Sequence, residues 1–198
     1  MKLTLVRHTS LQVEAGICYG QSDLDVSPQF DQELADLRHK LHDTAFDAVY
    51  SSPLQRCSKL AHALVQTLPS SSLSSAMAAQ MQVQHDARLQ ELHFGDWEMQ
   101  AWDPIPRAVF DVWAQNYAEL APPNGETFAA LQQRGVDCLQ ALQAKHTGEH
   151  VLVVTHGGMI RALIAHVLNM PLKGLFRFQV DYASLTRLDL QGTVPKID

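Results

Sequence analysis

The sequence predicts an α/β fold: a mainly parallel sheet with helices on both faces. Two observations lead there. Short runs rich in Val, Leu and Tyr, "KLTLV", "FDAVYSS" and "HVLVVT", read as buried strands. Between them lie longer segments whose apolar residues recur at helical spacing, and such β/α alternation builds parallel sheets. The chain shows no internal repeat and no domain boundary, so residues 1–198 read as one domain.

Each element follows in turn. After the first strand, "SPQFDQELADLRHKL" places Phe30, Leu34, Leu37 and Leu41 on one helical face, with Ser27 as the expected N-cap. "FDAVYSS" precedes a helix carrying Leu60, Ala63, Leu64, Thr67 and Leu68. The Ser-rich "PSSSLSSAMAAQ" reads as a surface connection, and "QVQHDARLQEL" holds another short strand. Residues 92–125 break the pattern. Trp97, Trp102 and Trp113 lie there among prolines, in a lid-like excursion. Its aromatics either wall a pocket or anchor the excursion to the core.

A helix after "NGET" turns Phe128, Leu131, Cys138, Leu139 and Leu142 inward. "HVLVVT" runs through "HGG" into a helix with Ile160, Leu163, Ile164, Val167 and Leu168 on one face. "LFRFQV" and "SLTRLDL" are expected to close the chain as strands.

Composition narrows the function. With 46% hydrophobic and 18% charged residues the chain is an ordinary globule, long enough for a full core. The net charge of −6 argues against nucleic acid or an anionic membrane as the main partner. No apolar run reaches the roughly 20 residues that span a bilayer. A strand starting within two residues of Met1 leaves no room for a signal peptide. Cys18, Cys57 and Cys138 are too scattered for a disulfide framework or a zinc knuckle. A reducing cytoplasm is the expected setting, and oligomeric state is not legible.

Ligands of open α/β sheets gather outside the carboxyl ends of the strands. Three expected strands end in one kind of chemistry: the first at Arg7-His8, the second through "SSPLQR" at Arg56, and the third at Thr155-His156. A lone histidine at such a place is more often a satisfied core residue, but three converging ends change that balance. Guanidinium groups are permanent, planar forks that bind phosphate bidentately. The "HGGM" turn adds a helix N-terminus, where Gly157 and Gly158 let the backbone approach an anion. Together these describe a site for a phosphoryl group. His8 is the expected nucleophile, since a neutral imidazole can attack phosphorus and nearby cations keep it unprotonated. "LQELHFGDWE" offers Glu91, Asp96 and Glu98 as candidate proton donors for the leaving oxygen, with no basis in the residues for choosing among them.

"LVRHTS", "VYSSPLQRCSKLA", "LQELHFGDWE", "PPNGETF" and "VLVVTHGGMIRALIAHVL", in this order and spacing, resemble the histidine phosphatase superfamily in its phosphoglycerate-mutase-like branch. The resemblance covers most of the chain. It implies a three-layer α/β/α sandwich, His8 as the phosphorylated nucleophile, and Arg7, Arg56 and His156 as the phosphoryl clamp. It also selects Glu91 as proton donor, and it implies a small phosphomonoester substrate with neither metal nor cofactor. Thr9 and Gly157 join the expected substrate-binding set. Two positions depart from the family pattern: Thr9 stands where glycine is common, and Glu14 where asparagine is common. Thr9 brings a hydroxyl donor, whereas a carboxylate cannot donate to phosphate, so Glu14 is placed outside the site. "RHT" followed by "GICYGQSDLDVS" is most similar to the α-ribazole-5′-phosphate phosphatases of cobalamin nucleotide-loop assembly.

A phosphoglycerate mutase or a broad-specificity phosphatase of the same family shares the chemistry, but the excursion carries only Arg107 to hold a second acidic group. A phosphohistidine-protein phosphatase would want an open site, not a walled one. A catalytically inactive binding module would be expected to lack one of the five residues, and all are present. His39 and His42, three apart on a helix, read as a solvated face and not as a metal site.

Overall fold

A computed structural model describes residues 1–67, 82–192 and 194–197. Strands β1 (Lys2–Arg7), β2 (Ala48–Ser51), β3 (Gln84–His85), β4 (His150–Thr155), β5 (Leu185–Asp189) and β6 (Lys196–Ile197) form one sheet in the order β3-β2-β4-β1-β5-β6. The first four in that order are parallel, β5 pairs antiparallel with β1, and β6 pairs antiparallel with β5.

Period-two alternation divides the core. Leu3 and Leu5 of β1, with Val151 and Val153 of β4, face helices α4 (Phe128–Lys145) and α5 (Gly157–Val167). Val6, Val49, Leu152 and Val154 point the other way, onto α1 (Phe30–Leu41) and α2 (Gln55–Thr67) through Leu37, Leu41, Leu60 and Leu64. The sandwich therefore has three layers, as expected. A further helix, Arg107–Asn116, lies inside the excursion; weak periodicity hid it. This helix is α3.

Several elements differ from expectation. Ser27 is not the N-cap of α1: that position is Gln29, and Ser27 shapes the preceding turn, accepting the Gln29 N–H on its hydroxyl and the Phe30 N–H on its carbonyl, each at 3.1 Å. Leu168 lies beyond the end of α5 and is exposed, because Asn169 takes a left-handed φ of 52° there. Residues 172–177 form a 3₁₀ helix, not a strand. The Gly174 N–H closes on the Pro171 carbonyl at 2.9 Å, and the sheet edge that a strand would need is already paired through β5. Leu68 and the Ser-rich connection fall outside the described residues. Among the described residues no helix is long and apolar enough to cross a membrane.

In the excursion, Trp97 and Trp113 are buried with ring centroids 5.3 Å apart. Glu98 ties this segment to the loop after β1. Its carboxylate accepts from Gln21 N, Ser22 N, Ser22 Oγ and Phe94 N at 2.6–3.0 Å.

Candidate active site

β1 and β4 lie side by side in the sheet, with Arg7 in register with Thr155. The next residue on each strand is a histidine, so His8 and His156 leave the sheet together. Their rings meet edge to face, with centroids 5.2 Å apart. Both are fully buried. The His8 ring is fixed by Nδ1, which lies 2.8 Å from the Thr9 carbonyl oxygen. A carbonyl can only accept, so Nδ1 carries the proton and Nε2 keeps its lone pair. That Nε2 is buried and meets no hydrogen-bond partner among the described residues. Burial holds the His8 pKa well below the ordinary imidazole value, with Arg56 and Arg7 adding to the effect against the opposing Thr9 bond. Sequence reasoning named the cations alone; desolvation is the larger cause.

Arg56, fully buried at the start of α2, spends its fork on three partners. Nη1 donates to Ser22 O at 2.8 Å, Nη2 to Gly20 O at 2.6 Å, and Nε to His156 Nδ1 at 3.3 Å. An arginine can only donate, so His156 Nδ1 holds the lone pair and its Nε2 faces Ser52 Oγ at 2.9 Å as the donor. Burial, then Arg56, holds the His156 pKa well below its ordinary value. Arg7 Nη1 donates to Val180 O at 2.6 Å, while its Nε is buried without a partner among the described residues. The Thr9 hydroxyl is likewise buried and unpartnered among them.

Glu91 reaches the same point from the other side. Its Oε2 accepts the Gly158 N–H at 3.0 Å and its Oε1 the Leu92 N–H at 2.9 Å. Arg134 of α4 pins the backbone that carries it, donating to the carbonyls of Arg88, Gln90 and Glu91 at 2.6–2.8 Å. The two glycines serve neighbours more than expected. A Cβ on Gly158 would collide with the Glu91 carboxylate, and one on Gly157 would come within 3.3 Å of Arg7 Nε and 3.2 Å of Arg161 Nη1. Asp96 and Glu98 stand apart in role: Asp96 accepts from Asn124 at 2.9 Å, and Glu98 clamps the loop described above. Glu14 is exposed. Arg107 pairs with Asp111 at 2.8 Å on the surface of α3.

All seven expected residues thus come together: Arg7, His8, Thr9, Arg56, Glu91, His156 and Gly157. Ser52, which sequence reasoning held only as an alternative nucleophile beside Ser51 and Cys57, also belongs to the cluster, as do Arg134, Arg161, Tyr19 and Tyr182, to which it assigned no such place. Only Arg161 left a signal, at i+4 from Gly157 on the same helix face. A cavity of about 210 Å³ opens beside Glu91, lined also by Ile17, Tyr19, Phe94 and Trp102.

The chain as a whole is similar to known proteins. The chain is 27% identical over 194 residues to the adenosylcobalamin/alpha-ribazole phosphatase of Escherichia coli (strain K12), covering 96% of this chain and 90% of that one. It is 30% identical over 169 residues to a metal-independent phosphoserine phosphatase of Arabidopsis thaliana, covering 84% and 68%. The solved alpha-ribazole phosphatase of Shigella flexneri superposes with a TM-score of 0.86 at 26% identity, covering 100% of this chain and 95% of that one. Residues 3–198 match the histidine phosphatase superfamily (branch 1), and the chain belongs to that family.

Proposed function

We propose that the protein is a phosphomonoesterase that works through a phosphohistidine. One observation carries the reading: His8 Nε2 is a buried lone pair, fixed by its ring's bond to Thr9 O, at the focus of Arg7, Arg56 and His156. The lone pair forms an N–P bond as the P–O ester bond breaks, and Glu91 gives its proton to the departing oxygen. Water then attacks phosphorus and returns a proton to Glu91. The N–P bond breaks, leaving inorganic phosphate and neutral His8. Arg7 and Arg56 balance charge on the transferring oxygens, the work a metal does elsewhere, so a chelator is expected to leave the rate unchanged. His156 holds the Arg56 fork through Nδ1.

The cavity beside Glu91 is where the leaving group would sit. Its Phe94 and Trp102 walls suit a substrate with a flat apolar part, and the relatives named for alpha-ribazole support α-ribazole 5′-phosphate as that substrate. On this reading residues 92–125 wall the pocket, and the enzyme is cytoplasmic.

A second reading rests on Arg161. Its Nε donates to Phe178 O at 3.3 Å, and its terminal nitrogens meet no hydrogen-bond partner among the described residues. A guanidinium that lies over the Phe176 ring with its terminal nitrogens unbonded among the described residues suits a carboxylate on the substrate, as in phosphoserine, and a metal-independent phosphoserine phosphatase is among the relatives.

Rapid quenching with ³²P-labelled substrate tests the chemistry. Label on the protein should be acid-labile and alkali-stable, as a phosphoramidate is, and absent from His8→Ala. Acid-stable label, or label in His8→Ala, would move the nucleophile elsewhere. Turnover of α-ribazole 5′-phosphate, phosphoserine, 3-phosphoglycerate, fructose 2,6-bisphosphate and an aryl phosphate separates the substrates.

A further inference from the structure

Tyr182 lies on the loop between the 3₁₀ helix at residues 172–177 and β5, and it turns back over the site. The Arg7 guanidinium carbon sits 3.8 Å from its ring centroid, and the His8 ring centroid is 5.5 Å away. The loop is tied to the end of β1. Ala183 N donates to His8 O and Arg7 N to Ser184 O, each at 3.2 Å. Ala183 adopts a left-handed φ of 51°, a conformation that a residue with a Cβ holds only where its surroundings impose it. Here that turn sets the tyrosine face against Arg7. On the far side, the Tyr182 hydroxyl meets the Tyr19 hydroxyl at 2.8 Å, bracing the ring from the loop after β1.

Arg7 needs such a brace. Arg161 and Arg7 crowd the same point above Gly157, so each guanidinium repels the other. Only Nη1 of Arg7 is anchored, to Val180 O; nothing in the hydrogen bonding of the described residues fixes the plane of the fork. The electron-rich face of a tyrosine attracts a guanidinium stacked on it and sets its plane.

We propose that Tyr182 is a positioning residue for Arg7: its ring fixes the guanidinium plane so that the unpartnered Nε edge stays aimed at the phosphoryl group. The inference rests on the phosphatase reading of this site. It assigns the function to the ring and leaves the hydroxyl a supporting part.

Tyr182 is 36% exposed, so substitution there spares the core. Turnover of p-nitrophenyl phosphate and the ¹⁵N order parameter of the Arg7 Nε–H are measured for the parent, Tyr182→Leu and Tyr182→Phe. Tyr182→Leu should lower kcat/KM at least ten-fold and raise the mobility of the Arg7 Nε–H. Tyr182→Phe keeps the ring and should rescue both to within about three-fold of the parent. The proposal is overturned if the Leu variant leaves the Nε–H as ordered as before, or if the Phe variant falls as far as the Leu variant. Arg7→Ala tests the underlying reading separately. If it leaves turnover unchanged, Arg7 is not a phosphoryl ligand, and the assignment of the site falls along with the inference.

Discussion

Glu91 and Gly158 are locked together: the carboxylate Oε2 takes the Gly158 N–H at 3.0 Å, and the space where a side chain would stand on residue 158 is filled by that same carboxylate. The first turn of α5 therefore seats the residue to which we assign proton transfer. Gly158→Ala should push Glu91 out of its seat while leaving the arginines in place. Activity on alkyl phosphates should fall at least ten-fold, with phosphate inhibition nearly unchanged. Parental turnover in this variant would show that the contact has no catalytic consequence.

Glu91→Gln isolates the proton itself. The amide preserves volume but has no acidic proton to give. Turnover of substrates with poor leaving groups should drop by orders of magnitude, and that of p-nitrophenyl phosphate far less, because its leaving oxygen needs little protonation. Equal losses on both substrates would remove Glu91 from the role of general acid.

Arg56→Lys keeps the charge and loses the fork. Lysine cannot reach Ser22 O, Gly20 O and His156 Nδ1 at once, and each hydrogen bond to a charged group contributes about 1.5–3 kcal/mol. The variant should lose at least a hundred-fold in kcat/KM and unfold at a lower temperature, since the loop at residues 20–22 loses its anchor. Activity within a few-fold of the parent would place Arg56 outside the site.

The buried histidines set a pH dependence whose sign can be worked out. Both His8 and His156 have folded pKa values below the unfolded value of about 6.5. Below that pH the unfolded chain binds protons that the folded chain refuses. Stability is therefore full above about pH 6.5 and falls as the pH drops toward the folded pKa values, with a slope approaching about 1.4 kcal/mol per pH unit for each ring. Urea unfolding of the parent and of His8→Phe across this range measures it, and the variant should show the shallower slope. For the same reason the acid limb of kcat/KM, which reports the free enzyme, should lie well below the ordinary imidazole range. A limb near pH 6.5 that belongs to the enzyme would contradict the burial of His8.

Much of this site was legible because strand ends are legible. "KLTLV" and "HVLVVT" announce their strands by apolar runs, so the residues that leave them, Arg7, His8 and His156, are placed by local pattern alone. Arg56 follows a third strand through a short turn. What stayed hidden are partners joined only by the fold. Tyr19 and Tyr182 meet across 163 positions, and Arg134 binds the 88–91 backbone from a helix more than forty positions on. No periodicity marks such contacts. "LFRFQV" misled for a related reason. Its alternation looks like a strand, yet the neighbouring side of β1 is already paired with β5. Nearby carbonyls were taken by side chains instead, Phe178 O by Arg161 and Val180 O by Arg7. The same arginines that build the site thus draw part of that segment's hydrogen bonding away from any ladder.

The register of β1 against β4 also decides when the site comes apart. His8 N donates to Thr155 O at 3.0 Å, so the histidine we propose as nucleophile sits on the last rung of a parallel pair that runs the full length of both strands. Loops that carry ligand contacts commonly open in fluctuations far smaller than global unfolding, whereas core strands exchange their amides only when the whole domain unfolds. The His8 amide should therefore exchange with solvent on the timescale of the core, while the amides of the Gly20 and Tyr182 loops exchange much sooner. A substrate would then meet a nucleophile held as rigidly as the core behind walls that breathe, and product could escape by loop motion without the histidines ever leaving register.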